Sequence, residues 1–357
     1  MPYSLDNRLV IGVASSALFD LTDSDKYFRD NNEDLYRAYQ DERIDQTLKP
    51  GDAFPFVKQL LSLNDLRSAD DPLVEVIVLS RNDPSTGLRV MRSIASHNLQ
   101  ISRAVFTQGR APYEYIGALK MSLFLSGNRS DVDAAIKLGF PAGHVLPSSV
   151  HYADTDDELR IAFDFDGVLA NDESERYFKQ ANLADYKKHE DELSDSPLEP
   201  GPLKELLRDL NLIQDIEREH GSTETSYKPR LRIAIVTARN APAHERAIRS
   251  LKDWGVTVND AFFLGGIEKA LVLEVMRPHI FFDDQTTHLT PAAAHATGVH
   301  IPYGVANEVG PSAAPPSLGQ ESRSAVDVII SDPISLDLNP EAEPANDVAQ
   351  PLGEPQP

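Results

Sequence analysis

Apolar residues along the chain fall into short runs separated by stretches with helical spacing. Leu9-Val10-Ile11-Gly12-Val13-Ala14 and Ala234-Ile235-Val236 are apolar on both faces of an extended chain. Such runs mark strands of a parallel sheet covered by helices on both sides. On this pattern strands are predicted at 9–14, 74–79, 103–106, 122–125 and 143–146, and again at 159–164, 231–236, 261–264, 279–282 and 298–301. Strand alternating with helix predicts an α/β fold. Ligands of such sheets bind beyond the carboxyl ends of the strands, so the residues just after each strand are the ones to read for chemistry.

The two sets of strands belong to a repeat. Asp23-Ser24-Asp25-Lys26-Tyr27-Phe28-Arg29 reads like Glu173-Ser174-Glu175-Arg176-Tyr177-Phe178-Lys179, 150 positions on, and Tyr36 and Leu48-Lys49-Pro50-Gly51 fall on Tyr186 and Leu198-Glu199-Pro200-Gly201 at the same offset. With small insertions Val76-Ile77-Val78-Leu79-Ser80-Arg81-Asn82 answers Ala234-Ile235-Val236-Thr237-Ala238-Arg239-Asn240, Leu123-Phe124-Leu125 answers Ile280-Phe281-Phe282, and His144-Val145-Leu146-Pro147 answers Val299-His300-Ile301-Pro302. Colinear matches of this number point to duplication. The expected organisation is a first repeat at 1–151 and a second at 152–310, the second carrying a small helical insert at 170–230 (helices near 172–190 and 202–218). Residues 219–230 read as a mobile loop, and the acidic, Pro-rich tail at 311–357 as mostly disordered.

Composition narrows the function. The 357 residues have a formal net charge of −22, which disfavours sequence-independent nucleic-acid binding. No apolar stretch reaches the length of a membrane span and no secretory signal is visible at the start, so neither a nucleic acid nor a membrane is an expected partner. There are no cysteines, which removes disulfides, thiolate metal sites and thiol nucleophiles. These features fit a cytoplasmic protein. Whether copies of the chain assemble is left open.

In the second repeat the strand ends carry a series of reactive groups. Phe163-Asp164-Phe165-Asp166-Gly167-Val168 places two carboxylates near one spot as the chain leaves the sheet. Carboxylates there suit a hard cation such as Mg²⁺, attack on phosphorus, or proton transfer, but an acidic pair also serves as a solvated cap. Thr237 suits a phosphate oxygen or a helix N-cap. Lys269 follows Gly265-Gly266 and suits phosphate charge or plain surface. Asp283-Asp284 follows Phe281-Phe282 and suits metal or capping. Taken together, each group stands just after a different strand and in one order.

That series resembles the four motifs of the haloacid dehalogenase superfamily of phosphohydrolases. The resemblance implies two Rossmann-like parallel-sheet domains of this type, with Asp164 as nucleophile, Asp166 as general acid/base, and Thr237 and Lys269 on the transferring phosphoryl group. It implies a Mg²⁺ site from Asp164, Asp166 through its carbonyl, and Asp283, supported by Asp284. More narrowly, residues from about 8 to 305 resemble the cytosolic 5′-nucleotidase type I family. The segments that carry this are Leu9 to Asp20, Leu79-Ser80-Arg81-Asn82 with Thr86-Gly87-Leu88-Arg89-Val90, and Asp172-Glu173-Ser174-Glu175-Arg176 with Pro200-Gly201-Pro202. Vertebrate members read Asp-Gly-Asp-Ala where this chain has Asp164-Phe165-Asp166-Gly167. The implied reaction is hydrolysis of nucleoside 5′-monophosphates. Alternatives are a phosphatase for another small phosphate ester, a phosphotransferase using a nucleoside as acceptor, and a nucleotide-binding protein that does not hydrolyse.

The first repeat lacks these groups. At the matched positions Ala14 and Ser16 stand for Asp164 and Asp166, Leu79 for Thr237, Pro112 for Lys269, and Ser126 and Gly127 for Asp283 and Asp284. It is expected to be an inactive copy that either buries apolar surface of the active half or covers its site and reads the nucleoside. Candidates for substrate contacts are Ala238 and Arg239 in the second half, and Ser80, Arg81, Asn82 and Arg110 in the first, with Phe19 or Tyr113 against the base.

Overall fold

The computed structural model describes residues 3–308 apart from 69, 151 and 153–156. The tail at 311–357 and the boundary at 151 therefore lie outside the described residues. The strands are β1 (Leu9–Val13), β2 (Val74–Ser80), β3 (Arg103–Phe106), β4 (Leu123–Ser126), β5 (Ala142–Val145), β6 (Leu159–Phe163), β7 (Leu231–Thr237), β8 (Asp260–Phe263), β9 (Ile280–Asp283) and β10 (Gly298–His300). Each agrees with its expected range to within one residue at either end, because each has a short apolar core, with charges such as Glu75, Arg160 and Arg232 near the strand start.

Helices fill the connections. The first half has α1 (Ser15–Leu18), α2 (Thr22–Asp30), α3 (Glu33–Glu42), α4 (Phe54–Ser62), α5 (Pro84–Ser96) and α6 (Arg129–Lys137). The second has α7 (Glu173–Gln180), α8 (Leu183–Glu192), α9 (Lys204–Thr223), α10 (His244–Asp253), α11 (Lys269–Met276) and α12 (Thr286–Ala292). Capping side chains set the starts of corresponding helices: Asn32 accepts from the Leu35 amide before α3, and Asn182 from the Ala184 and Asp185 amides before α8. No described helix is long and apolar enough to cross a membrane.

Residues 219–230 are tied down, contrary to expectation. Helix α9 runs through Thr223. Within it, the buried Glu217 carboxylate accepts from the Tyr227 hydroxyl at 2.7 Å, the Arg230 amide at 2.6 Å and the Leu231 amide at 3.2 Å. The anchor is a carboxylate just upstream of the segment, which the segment's own polar composition does not reveal.

Among the described residues the strands form one ten-stranded sheet in the order β3-β2-β1-β4-β5-β10-β9-β6-β7-β8. Neighbours within each group of five are parallel. The two groups meet at an antiparallel pair, with His300 opposite His144 and Val299 opposite Val145. The strands of one group therefore run opposite to those of the other, and their carboxyl ends face opposite ways.

Alternating side chains go to different cores. On one face a single cluster spans both groups and includes Ile11, Val13, Phe56 and Leu60 with Ile161, Phe163, Leu206 and Leu210. On the other face the core is split, with Val10, Ile77 and Phe124 in one cluster and Ala162, Val236 and Phe281 in another. The shared layer is laid down by α4, which packs on β6, and α9, which packs on β1. This exchange buries apolar surface of each group under a helix of the other, so neither sheet half is finished without its neighbour.

Candidate active site

The groups predicted after β6, β8 and β9 converge. The Asp164 amide donates to the Phe282 carbonyl at 2.8 Å, which continues the strand pairing and holds its side chain at the sheet end. Lys269, the first residue of α11, lies between two carboxylates, its Nζ 2.8 Å from Asp164 Oδ2 and 2.7 Å from Asp283 Oδ2. His288 Nδ1 is 3.0 and 3.1 Å from the two Asp283 oxygens. Asp164, Asp283, Asp284 and Lys269 are all buried.

This cluster has more negative than positive partners. Both Asp284 oxygens are buried with no hydrogen-bond partner, as is Glu175 Oε2, which α7 brings toward them. Burial, opposed by Lys269 and reinforced by Asp283, pushes Asp164 up to about 7, and burial beside Asp164 and Asp283 pushes Asp284 up to about 10. Burial also works against the charge of Asp283, but Lys269 and His288 outweigh it and hold that carboxyl below its ordinary value. Lys269 is held above its own range because Asp164 and Asp283 more than offset the cost of burying it.

One ammonium group cannot satisfy three buried carboxylates, and the orphaned Asp284 oxygens are hard donors of the kind Mg²⁺ takes. Ligand atoms of Asp164, Asp283 and His288 lie within 4.8 Å of one another. The residues present fit a divalent cation. Gly167 makes room for this arrangement: its φ is +72°, and a Cβ there would stand 2.7 Å from Asp284 Oδ2.

The second acid of the pair is held apart from this cluster. Asp166 accepts a two-pronged pair from Arg239, with Nε and Nη2 each 2.7 Å from a carboxylate oxygen. Arg239 Nη1 reaches Glu190 at 2.6 Å and the Ala243 carbonyl at 3.0 Å. Glu190, which is wholly buried, also accepts from Ser174 Oγ at 2.7 Å and pairs with Arg246 at 3.2 Å. Burial opposes the Arg239 charge, but Asp166 and then Glu190 hold it above its ordinary range. Thr237 Oγ1 accepts from the Arg239 amide at 3.2 Å, and Ala238 between them is exposed.

Over this network Tyr186 of α8 senses the charges of Arg239 and Asp166 and stacks edge-on against Phe178 of α7, centroids 5.2 Å apart. Phe178 is 47% exposed. Sequence reading did not assign site roles to Glu175, Glu190, Tyr186 or His288. Tyr186 carried a signal in its match to Tyr36. Glu190 carried none, since it sits in Lys187-Lys188-His189-Glu190-Asp191-Glu192, which reads as a solvated face.

The remaining expected residues lie elsewhere. Ser80, Arg81 and Asn82 end β2 in the first group, whose strands run opposite to β6 and β7. Arg81 Nε is 3.0 and 3.2 Å from the Asp131 oxygens, its Nη2 also bonds Asp131, and its Nη1 donates to the Gly109 carbonyl at 2.7 Å. Arg110 is exposed and its Nε reaches the Thr107 carbonyl at 3.4 Å. The structure does not bring these residues to Asp164.

It also corrects the match between halves by one place. Val74 pairs with Leu9 as Leu231 pairs with Leu159, and the Asn82 amide donates to Ser80 Oγ at 3.2 Å as the Arg239 amide does to Thr237. Ser80, not Leu79, stands where Thr237 stands. The letter match of Arg81 to Arg239 set the earlier offset, and strand register overrides it.

A family model described as 5′-nucleotidase matches residues 1–308. Cytosolic 5′-nucleotidase 1B of Homo sapiens is 33% identical over 291 residues, which is 80% of this chain and 47% of that protein. The chain thus spans about half the length of that curated relative. No solved structure gives a match. With the family model covering all ten strands and every residue of the carboxylate cluster, the chain belongs to the 5′-nucleotidase family.

Proposed function

We propose that this chain is a phosphoric monoester hydrolase acting on nucleoside 5′-monophosphates, with Asp164 as nucleophile. The observation that carries the reading is the buried cluster in which Lys269 bridges Asp164 and Asp283 beside an Asp284 carboxylate without a partner. In the first step an Asp164 oxygen attacks phosphorus in line, a bond forms to the carboxylate, and the ribose oxygen leaves with a proton from Asp166. In the second, Asp166 takes a proton from water as that water attacks phosphorus, and phosphate departs from Asp164. Lys269 and the Thr237 hydroxyl hold the transferring oxygens in place. Asp166 is turned onto Arg239 in the described conformation, so the pair opens before Asp166 meets the leaving oxygen. When bound by Asp164, Asp283, Asp284 and the Asp166 carbonyl, Mg²⁺ supplies positive charge that offsets repulsion between carboxylate and phosphate.

The substrate class rests on the family and on Tyr186, which feels the charge of Asp166 and meets Phe178 edge-on, an aromatic pair that suits a nucleobase. The proposed organisation is two repeats, 1–151 and 152–310, the first without catalytic groups, and 170–230 as a small helical cover. Matching detail supports duplication. Arg89 reaches Gln40 and the Gln46 carbonyl as Arg246 reaches Glu190 and the Ser196 carbonyl. The Leu48 and Leu198 amides donate to Ser93 and Ser250 Oγ, each at 2.9 Å.

The test is phosphate release from a panel of nucleoside 5′-monophosphates and sugar phosphates, with Mg²⁺ and then with EDTA. Mg²⁺-dependent release chiefly from nucleotides is the expected result. Release only from other esters would remove the substrate and keep the mechanism; no release from any would remove both.

A further inference from the structure

The first half keeps a pocket at its strand ends, in the place where the second half keeps its carboxylates. It is a cavity of about 220 Å³ beyond β1, β2 and β4, roofed by α2 and α3. It stands apart from the Asp164 cluster, at the carboxyl ends of strands that run the other way. Its floor is hydroxyl and amide: Ser15, Ser80 and Ser126, with Asn82 and Asn128. Ser15 and Ser80 share a hydrogen bond of 2.9 Å, leaving lone pairs for a further donor. Its wall is aromatic. Phe28 and Tyr36 meet edge-on, centroids 5.0 Å apart, in the arrangement that Phe178 and Tyr186 repeat over the other site.

Charge decides what such a pocket takes. The charged side chains lining it are Asp25, Asp83 and Asp131 against the single cation Arg81. Arg81 is committed to Asp131 and the Gly109 carbonyl, with both side chains of the ion pair almost fully buried. No lysine stands at the position of Lys269, where Pro112 lines the cavity instead. Arg37, from outside the lining, already pairs with Asp83 at 3.4 Å. A phosphate group entering here would meet three lining carboxylates and no uncommitted cation from the lining, and would lose its hydration without compensation. A neutral ring system with hydroxyl groups would gain stacking and hydrogen bonds and face no such penalty. The volume lies below the roughly 300–1,000 Å³ of pockets for drug-sized ligands, which suits one heterocycle and its sugar.

We propose that the first half is a binding site for an uncharged nucleoside. The aromatic wall of α2 and α3 takes the base, and the serine and asparagine floor takes the sugar hydroxyls. The site stands on the cavity and its lining, whatever ester the second half hydrolyses.

The experiment is calorimetric titration of the full-length chain carrying Asp164→Asn, with Mg²⁺ present, using adenosine, inosine, cytidine and uridine, then orthophosphate as competitor. At least one nucleoside is expected to bind at a site that orthophosphate does not displace. Phe28→Ala weakens that binding about tenfold, the loss expected when a stacked ring is removed. Phe178→Ala, over the other site, leaves it unchanged. Asn82→Trp, at a half-buried residue of the floor, fills the pocket with an indole and also weakens binding. No nucleoside binding at millimolar concentration would overturn the proposal. So would displacement by orthophosphate, or binding lost with Phe178→Ala but kept with Phe28→Ala and Asn82→Trp. These outcomes leave the phosphate-release test of the second half untouched.

Discussion

Glu190 joins the helical cover to the core, and removing it tests whether the buried charge network has been understood. Its side chain is 0% exposed and neutralises Arg239 and Arg246, themselves 2% and 3% exposed. Glu190→Ala leaves two desolvated guanidinium groups with one carboxylate fewer and strips Ser174 of its acceptor. Breaking a buried pair by removing one partner costs about 3–5 kcal/mol, a large share of the ~5–15 kcal/mol that stabilises a typical domain. Glu190→Gln should cost less, because it keeps acceptors for Ser174 and one arginine. The first half supports this ranking: Gln40 stands opposite Glu190 there and serves Arg89 at 3.1 Å, while Asn82 replaces Arg239. A carboxylate is present where two arginines converge, and an amide where there is one. The sole tryptophan, Trp254, stacks on Phe165 in the same region and reports unfolding by fluorescence. Urea titrations of the three proteins give the differences from midpoint and slope. A loss below about 1 kcal/mol for Glu190→Ala, or a glutamine variant worse than the alanine one, would refute the reasoning, since a buried pair should cost several times that.

Three further outcomes follow from the site. Asp164→Asn should lower phosphate release by a factor on the order of 10⁴ or more while leaving the urea midpoint unchanged or higher, because Lys269 keeps Asp283 and one buried carboxylate is gone; retained turnover would reject the nucleophile. Asp164 and Asp284 are pushed up by burial to about 7 and about 10, so without metal the folded protein binds more protons than the unfolded chain above pH ~4. That stability is complete below the unfolded values and is lost as pH rises through 7 and toward 10. Urea midpoints in EDTA should therefore fall with pH over this window and fall less with Mg²⁺; a rise would contradict the cluster's electrostatics. Gly167→Ala should cost about 1–3 kcal/mol through its left-handed backbone and displace Asp284, raising the Mg²⁺ concentration needed for half-maximal phosphate release; an unchanged requirement would separate Gly167 from the metal site.

What the sequence determined by itself was whatever depends on local order along the chain. The strand ranges were legible because burial on both faces leaves largely apolar runs, and the meeting of Asp164, Lys269 and Asp283 because each stands at a strand's carboxyl end or just past a glycine turn. What only the tertiary structure decided depends on direction and distance between segments. The antiparallel meeting of β5 and β10 rests on two short strands whose letters do not encode orientation, yet it separates Ser80, Arg81 and Asn82 from Asp164. The substitution of Ser80 for Thr237 needed strand register, since similar letters one place apart misled the alignment. Arg81 looked like an anion ligand until Asp131, 50 residues away in sequence, was found to hold it. Glu190 looked like solvent-facing charge until folding closed it between two arginines. A side chain's charge is written in the sequence, but what neutralises that charge is set by which distant segment packs against it.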